Sequence, residues 1–389
     1  MQSHIGEQDV VLPTGATMLS TKAKRNQAMM ELLTAKLKRD PEIDMIVSLR
    51  KIHKEVNPPV AKKSKPPPKK MDFCERLVSG PKIAEIVFPL SDAATNLVAG
   101  YIDASLIGTK NQLVDALKRM ISASTKVWEN PLAGAVLRCN EEIAAKVVYG
   151  NDDYTEYTSL QYLNAHAPDI PAPKPHGLIK FSDVCIMLMT YIPTTTLESV
   201  WPNLTLDNKL SIQNRLQSIF NTLRNLKLPP GRNMGGVSGE GVQDFHMDDH
   251  DTQQLNTISA FEDFQFSVNT LSPSPAFTTF LRSFLPPSNN ECVFTHGDVR
   301  PANIMVEDTD GGYTVSGIID WEMSGFYPEY MESMQVLHLF DRNVEIDWYH
   351  YLPHCISPAR HPKRFLVGRI WKMSLGFSAV KEDEYHNTT

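Results

Sequence analysis

Twelve consecutive residues, Phe294-Thr295-His296-Gly297-Asp298-Val299-Arg300-Pro301-Ala302-Asn303-Ile304-Met305, combine the residue types of a phosphate chemistry at close spacing. The pattern predicts a strand ending at His296, a tight loop presenting Asp298, and a second strand opened by Asn303 five positions on. Gly297 and Pro301 favour an exposed turn there, with the carboxylate directed into a cleft. Ile318-Ile319-Asp320-Trp321-Glu322 reads as another strand that ends in a carboxylate, with Trp321 as a core anchor. Such a set suits phosphoryl transfer. One Asp takes the proton of an attacking hydroxyl, while an amide oxygen and a second carboxylate hold Mg²⁺ on nucleotide phosphates. Hard oxygen donors favour Mg²⁺ over zinc, and the sequence has no competing cysteine or histidine cluster.

The elements that must position these residues follow from hydrophobic periodicity. Short strands are expected at 135–138 and 143–148, a helix over Asp153 to Ala165, then a strand pair at 177–181 and 184–191 turned at Ser182-Asp183. Three to five short strands with one inserted helix make a small β-rich lobe. Beyond Pro193 the pattern turns helical. Its strongest run, Leu206 to Leu226, puts Leu210, Ile212, Leu216, Ile219, Phe220, Leu223 and Leu226 on one broad face. Strands return at 293–295, 304–307 and 314–319, with a Gly311-Gly312 turn between the last two. Upstream, residues 71–125 read as a helical lead-in, clearest where Leu113, Val114, Leu117 and Ile121 share a face.

The first seventy residues differ in character. They hold 14 lysines and arginines against 7 acids, a net +7, whereas the remaining residues carry −14. Helical patterns at Lys22 to Arg39 and Ile43 to Val56 lead into a Pro/Lys run over 58–70, which favours a solvated linker. A protein partner for this basic tail is compatible with its charge, while an acidic body makes a poor general nucleic-acid binder. With 42% hydrophobic residues the chain has ample core material, yet no run approaches ~18 apolar residues, so no membrane span is expected. Five dispersed cysteines and the lack of a signal pattern point to a reduced, cytoplasmic setting.

The motif His296-Gly297-Asp298 followed by Asn303, with Ile319-Asp320-Trp321-Glu322 downstream, resembles the aminoglycoside phosphotransferase and choline kinase superfamily. Residues 322–330, Glu-Met-Ser-Gly-Phe-Tyr-Pro-Glu-Tyr, are similar to its fungal branch. So are Ile170-Pro171-Ala172-Pro173-Lys174 and Met189-Thr190-Tyr191-Ile192-Pro193. The resemblance spans about 126–340 and implies an α+β, two-lobed protein-kinase-like fold. A small β-rich N-lobe over 126–192 would bind nucleotide, and a larger, mainly helical C-lobe over 193–389 would hold the catalytic loop, with a helical or disordered extension before them. It implies Asp298 as catalytic base, His296 orienting the loop, Arg300 at phosphate or loop charge, and Asn303 and Asp320 as Mg²⁺ ligands. Lys146 would meet the ATP phosphates, paired with Glu156, and the backbone of Met189, Thr190, Tyr191 and Ile192 would meet adenine.

The expected activity is ATP- and Mg²⁺-dependent phosphorylation of a hydroxyl on a small molecule. A pseudokinase-like binding module is the alternative, although Lys146, Asp298, Asn303 and Asp320 are all present. A protein kinase fits less well, because Asp-Trp-Glu replaces Asp-Phe-Gly and no Ala-Pro-Glu-type segment follows. No G-x-G-x-x-G precedes Lys146. Only Leu132-Ala133-Gly134-Ala135 offers a flexible turn there.

Overall fold

A computed structural model of the chain describes residues 21–40, 43, 48–49, 51–52, 72–80, 82–106, 108–109, 111–130, 133–149, 153–243, 255–267, 274–287, 291–309, 312–336 and 347–374. The chain divides into two compact units, Met1–Lys70 and Met71–Thr389. In the first, helix α1 spans Thr21–Arg39 and ends on Lys36, Lys38 and Arg39, where cations complement the helix dipole. Of the second helix expected there, residues 48, 49, 51 and 52 are helical. Residue 43 lies in a bend, and the remaining positions and the Pro/Lys run lie outside the described residues.

The second unit opens with α2 (Phe73–Val78), β1 (Ala84–Phe88), α3 (Asp92–Ala99) and α4 (Gln112–Ala123). Strands β2 (Thr125–Asn130), β3 (Gly134–Arg138) and β4 (Ile143–Tyr149) follow, then α5 (Thr155–His166), β5 (Pro175–Phe181) and β6 (Val184–Thr190). All six strands form one antiparallel sheet in the order β1-β5-β6-β4-β3-β2. The expectation of three to five strands was short by one or more, and the expectation that 71–125 is helical missed β1. That strand exposes Glu85 and Ile86 and leaves its other positions half-buried, so it lacks the apolar run that marks an inner strand.

Both faces of this sheet are covered, and the side-chain period of two sorts residues between them. On β4, Ile143, Ala145 and Val147 join Phe73, Leu77, Ala94, Val98, Leu117 and Met120 in a core beneath α2, α3 and α4. On the other face Ala144 of β4 and Cys185, Met187 and Met189 of β6 join Tyr157, Leu160 and Leu163 of α5. Residues 73–121 therefore belong to the same core as the strands, and a seam near 126 would cut through it. Lys146 is in register with Ala144, so β4 directs it toward α5.

The C-terminal lobe carries β7 (Thr195–Thr196), α6 (Leu197–Val200), α7 (Leu206–Asn225), α8 (Ile258–Gln265), α9 (Pro275–Arg282), β8 (Cys292–Thr295), β9 (Ile304–Thr309), β10 (Gly312–Ile318), β11 (Gly325–Pro328), α10 (Met331–Gln335) and α11 (Pro362–Ser374). Helix α7 starts at Thr205, whose hydroxyl accepts from Asn208 N–H, and buries Ile212, Leu216, Ile219, Phe220 and Leu223. Leu210, expected on that face, is 41% exposed. The ladders β10-β9-β7 and β11-β8 carry the motif residues. Among the described residues no helix is long and apolar enough to cross a membrane. None of the five cysteines forms a disulfide; Cys185 and Cys355 are buried, and Cys74, Cys139 and Cys292 are half-buried.

Candidate active site

Lys146 is the centre of the site. Its Nζ lies 2.6 Å from Glu156 Oε2, 2.5 Å from Asp320 Oδ1 and 3.1 Å from Glu322 Oε2. The three carboxylates come from the first turn of α5 and the loop after β10, 174 residues beyond the lysine in the case of Asp320. Asp153 fixes the start of α5 by accepting from Thr155 N–H at 2.9 Å, and its other oxygen accepts from Gln243. That leaves Glu156 as the acidic residue of the first turn that faces Lys146. Its second oxygen accepts from Trp321 N–H at 3.3 Å, tying the helix to the loop that holds Asp320. Asp320 itself has φ 69, a left-handed backbone in a non-glycine residue. Such strain persists where the surroundings over-determine it, as the lysine pairing does here.

The motif between β8 and β9 is held from several sides. His296 is wholly buried, and both ring nitrogens are engaged. Nδ1 accepts from Asp298 N–H at 3.1 Å, which assigns the proton to Nε2, and that nitrogen donates to Ile319 O at 3.0 Å. The imidazole therefore locks the loop to the strand before Asp320 and has no nitrogen left for a substrate. Gly297 has φ 87, and a Cβ there would stand 2.4 Å from Met323 O, so only glycine fits between His296 and Asp298. From the far side Glu332 of α10, 1% exposed, accepts from the N–H groups of His296 at 2.7 Å and Gly297 at 2.9 Å.

Asp298 departs from the expectation of an exposed loop. It is 9% exposed, because Asn303 donates from Nδ2 to its carboxylate at 2.7 Å and to its carbonyl at 2.9 Å. Asn303 closes the turn Pro301–Asn303 ahead of β9, and its own carbonyl accepts from Ile319 N–H at 3.0 Å. Arg300 lies between the two aspartates, with Nε 3.0 Å from Asp298 Oδ2 and a terminal nitrogen 3.7 Å from Asp320 Oδ2. Its Nε–H is not aimed at the oxygen and makes no hydrogen bond.

Electrostatics follow from this crowding. Burial pushes the Glu156 carboxyl up to about 7, against the opposing pull of Lys146. Burial also acts to raise Asp320 and to lower Lys146, but their mutual attraction wins in both, holding the carboxyl below and the ammonium above its ordinary value. Four carboxylates (Glu156, Asp298, Asp320, Glu322) face two cations, Lys146 and Arg300. The negative side is in excess, by an amount that depends on how far Glu156 is ionised. Glu156, Asp320 and Glu322 each place an oxygen within 4.8 Å of the others, and oxygen donors of this kind fit Mg²⁺.

Of the hinge residues, Thr190 N–H donates to Lys174 O at 2.9 Å and Tyr191 N–H to Glu142 O at 2.7 Å. These two amides are engaged within the sheet and its flanking loops, so at Thr190 and Tyr191 the carbonyls are the main-chain groups left for a base. Ile192 is next along. It packs on β10 at Gly317, where a Cβ would come within 2.5 Å of its Cδ1. Glu332 was not anticipated from the sequence; a glutamate between Met331 and Met334 on a short apolar segment is its only signal. A small cavity of about 20 Å³ lies beside Asp298, lined also by Arg300, Gln335, Trp348 and Tyr349.

A lysine–glutamate pair across a strand and a helix, with an aspartate loop and a further aspartate beside it, is an arrangement of groups that phosphoryl transfer can use. Residues 154–361 match the phosphotransferase enzyme family, and the chain belongs to that family. Among solved structures it is similar to a thermostable mutant of the aminoglycoside phosphotransferase APH(4)-Ia, at 14% identity and a TM-score of 0.43, covering 65% of this chain and 84% of that one. It is also similar to APH(2")-IIa in a streptomycin–ATP ternary complex, at 12% identity and a TM-score of 0.39, covering 72% and 84%. A third is ADP-bound APH(2'')-Ib, at 12% identity and a TM-score of 0.38, covering 66% and 78%. Comparison with curated proteins finds no match.

Proposed function

We propose that this chain transfers the γ-phosphoryl group of ATP to a hydroxyl of a small molecule, with Mg²⁺. The observation that carries the reading is the junction of Lys146, Glu156 and Asp320, joined to Asp298 through Arg300. Burying Lys146 with Glu156 costs several kcal/mol per ion in desolvation, so the cluster is an expensive way to gain stability alone. Lys146 would bind the α- and β-phosphates, oriented by Glu156. Asp320 and Asn303 would hold Mg²⁺, with Glu322 within reach of the same position. When bound, the ion supplies charge neutralisation at the transferring phosphoryl group.

Asp298 would receive the proton of the attacking hydroxyl, its carboxylate aimed by Asn303. Arg300, already between the two aspartates, would offset charge on the transferring group. His296 and Glu332 act through the loop rather than on substrate. Ile192 and the neighbouring carbonyls would meet the adenine. An amino-sugar acceptor, as in the streptomycin complex of the similar structure, is not required by any of these roles.

A thermal-shift titration with ATP and Mg²⁺, followed by ADP release over a panel of hydroxyl compounds, tests the reading. Stabilisation by RT ln(1 + [L]/Kd) is expected at millimolar nucleotide. Asp320→Ala should remove its Mg²⁺-dependent part. Absence of any nucleotide-dependent shift would overturn the proposal, and ATP binding without turnover on any acceptor would leave a binding module.

A further inference from the structure

The helix that carries Glu156 is bonded to the C-terminal lobe as well as to Lys146. Its start meets one loop, residues 235–243. Gln243 is buried there, and its Nε2 donates to Asp153 Oδ2 at 2.9 Å and to Thr155 Oγ1 at 3.2 Å. A carboxylate only accepts, so Asp153 fixes which way the Gln243 amide faces. One turn along the helix, the Thr158 hydroxyl donates to Glu240 Oε1 at 2.5 Å. The other oxygen of Glu240 accepts from Ser238 N–H at 2.8 Å. Thr155 and Thr158 are themselves buried, so breaking these bonds leaves polar groups without water to replace the partner.

The loop is fixed in turn to the strands beneath the catalytic motif. Gly235 exchanges both backbone hydrogen bonds with Phe326 of β11, at 2.9 and 2.8 Å, and Gln243 N–H donates to Tyr327 Oη at 3.0 Å. The loop closes on itself where Gly236 N–H donates to Gly241 O at 2.9 Å. That return passes so close that a Cβ on Gly235, at φ 105, would stand 2.0 Å from Gly241 O. Strand β11 pairs with β8, whose last residue, Thr295, precedes His296. On the apolar side Tyr162 of α5 stacks on Phe294 of β8 and meets Phe326 of β11 edge-on. A continuous path therefore runs from the catalytic strand through β11 and the loop to the helix that presents Glu156. Every bond along it joins protein groups, so seating the helix adds no ordering cost to nucleotide binding.

We propose that Gln243 and Glu240 are positioning residues, which seat α5 on the C-terminal lobe so that Glu156 meets Lys146 ahead of nucleotide binding. This goes beyond the phosphotransfer reading by naming residues outside the site, and rests on that reading only for its effect on Mg²⁺–ATP. Where α5 is seated for only a fraction of the time, the apparent nucleotide affinity falls by that fraction.

A donor–acceptor reversal tests the proposal on the full chain. Gln243→Glu sets a second carboxylate against Asp153. Adding Asp153→Asn makes the new amide the donor, while its oxygen still accepts from Thr155 N–H. Amide hydrogen exchange is read at residues 158–161, beginning with Thr158 N–H, which bonds back to Tyr154 O, and α7 serves as the internal reference. Calorimetric titration with Mg²⁺–ATP supplies the second readout. In Gln243→Glu, exchange at 158–161 should rise at least ~10-fold relative to α7, Mg²⁺–ATP affinity should fall ~10-fold, and saturating Mg²⁺–ATP should restore protection. The double variant should recover both. Thr158→Val removes the hydroxyl facing Glu240 with little change of shape; it should act in the same direction, and it decides the matter if Gln243→Glu does not fold. Wild-type exchange in the folded variants, a rise shared equally by α5 and α7, or a double variant no better than the single would overturn the proposal. So would selective exchange with unchanged nucleotide affinity, because the bonds would then hold the helix without serving the lysine. A wild-type chain with no affinity for Mg²⁺–ATP would overturn the phosphotransfer reading instead, and exchange and its rescue would decide the seating of α5 alone.

Discussion

Lys146 Nζ lies 2.5 Å from Asp320 Oδ1, a contact between the third residue after Ile143 on a sheet strand and a loop residue in the left-handed backbone region. One atom pair thus ties strand β4 of the small lobe to the loop after β10. Removing the lysine leaves Glu156 and Asp320 facing each other with the compensating charge gone. Lys146→Met should therefore destabilise by about 3–5 kcal/mol, the cost of breaking a buried ion pair from one side. Urea unfolding of the variant at pH 8 measures this. A loss under about 1 kcal/mol would mean the carboxylates relax into solvent and the contact is not a structural tie.

The same junction dictates a pH dependence. Glu156 sits at about 7 in the folded chain against an ordinary 4.5, so between those values the folded state holds more protons than the unfolded one. Its stabilising contribution is present below pH 4.5 and is lost as pH rises through 7. Over that span the loss is on the order of 3 kcal/mol, at about 1.4 kcal/mol per unit. Asp320, held below its ordinary value, loses its contribution only below pH 4 and lies outside this window. Glu332 is also raised by burial, so the isolating measurement is the difference between wild type and Glu156→Gln across pH 5–8. The variant should show the shallower decline; parallel curves would remove Glu156 from the account.

Asp298→Asn separates chemistry from folding. The amide can still accept from Asn303 Nδ2 through its remaining oxygen, so the 2.7 Å contact survives and only the charge facing Arg300 is lost. Turnover should fall ~10²–10⁴-fold, with the melting temperature and ATP affinity near wild type. A comparable drop in stability would make the residue structural. Unchanged turnover would place the base elsewhere.

Gly297 gives a test of the backbone itself. Alanine there combines an unfavourable positive φ with a Cβ 2.4 Å from Met323 O, a carbonyl rather than a movable side-chain tip. Gly297→Ala should cost more than about 1 kcal/mol and displace Asp298, abolishing turnover even where the protein remains folded. Calorimetry with the ADP-release assay reads both. A variant with wild-type turnover would show that the loop tolerates movement.

How legible was this arrangement in the residues? The strands around Lys146 and the inner helix were readable, because β4 and β6 are apolar at nearly every position and bounded by turns. The motif that joins His296, Asp298 and Asn303 was readable because its spacing is set by one short turn. Edge strand β1 was not, since exposed Glu85 and Ile86 break the inner-strand pattern. Strand β11 was hidden too: Gly325-Phe326-Tyr327-Pro328 is too short to show a period, and its partner β8 lies some thirty residues earlier. Burial of Asp298 depends on Asn303 and Arg300 folding over it, which local exposure rules do not register.

Glu332 carries the last prediction. It is 1% exposed and accepts from two consecutive backbone N–H groups, those of His296 and Gly297, while burial raises its carboxyl above the ordinary glutamate value. Two short bonds to adjacent amides fix the planes of the two peptides leading into Gly297, so this side chain holds the loop ahead of Asp298 from the side of α10. Glu332→Ala would leave both amides buried and unpaired, at about 1–3 kcal/mol each. Glu332→Gln is the sharper variant, because one oxygen remains but the amide nitrogen must face an N–H. One bond is kept and one becomes a donor–donor contact, so the loop tilts while the core stays filled. The expected signature is a fall in kcat with the KM for ATP unchanged, and rescue toward wild type in Glu332→Asp only if the shorter side chain still reaches both amides. Amide hydrogen exchange at Gly297 supplies a second readout, with protection falling at least tenfold in Glu332→Gln. A variant that loses stability but keeps wild-type kcat, or that weakens ATP binding as much as turnover, would reduce Glu332 to a core contact with no part in placing Asp298.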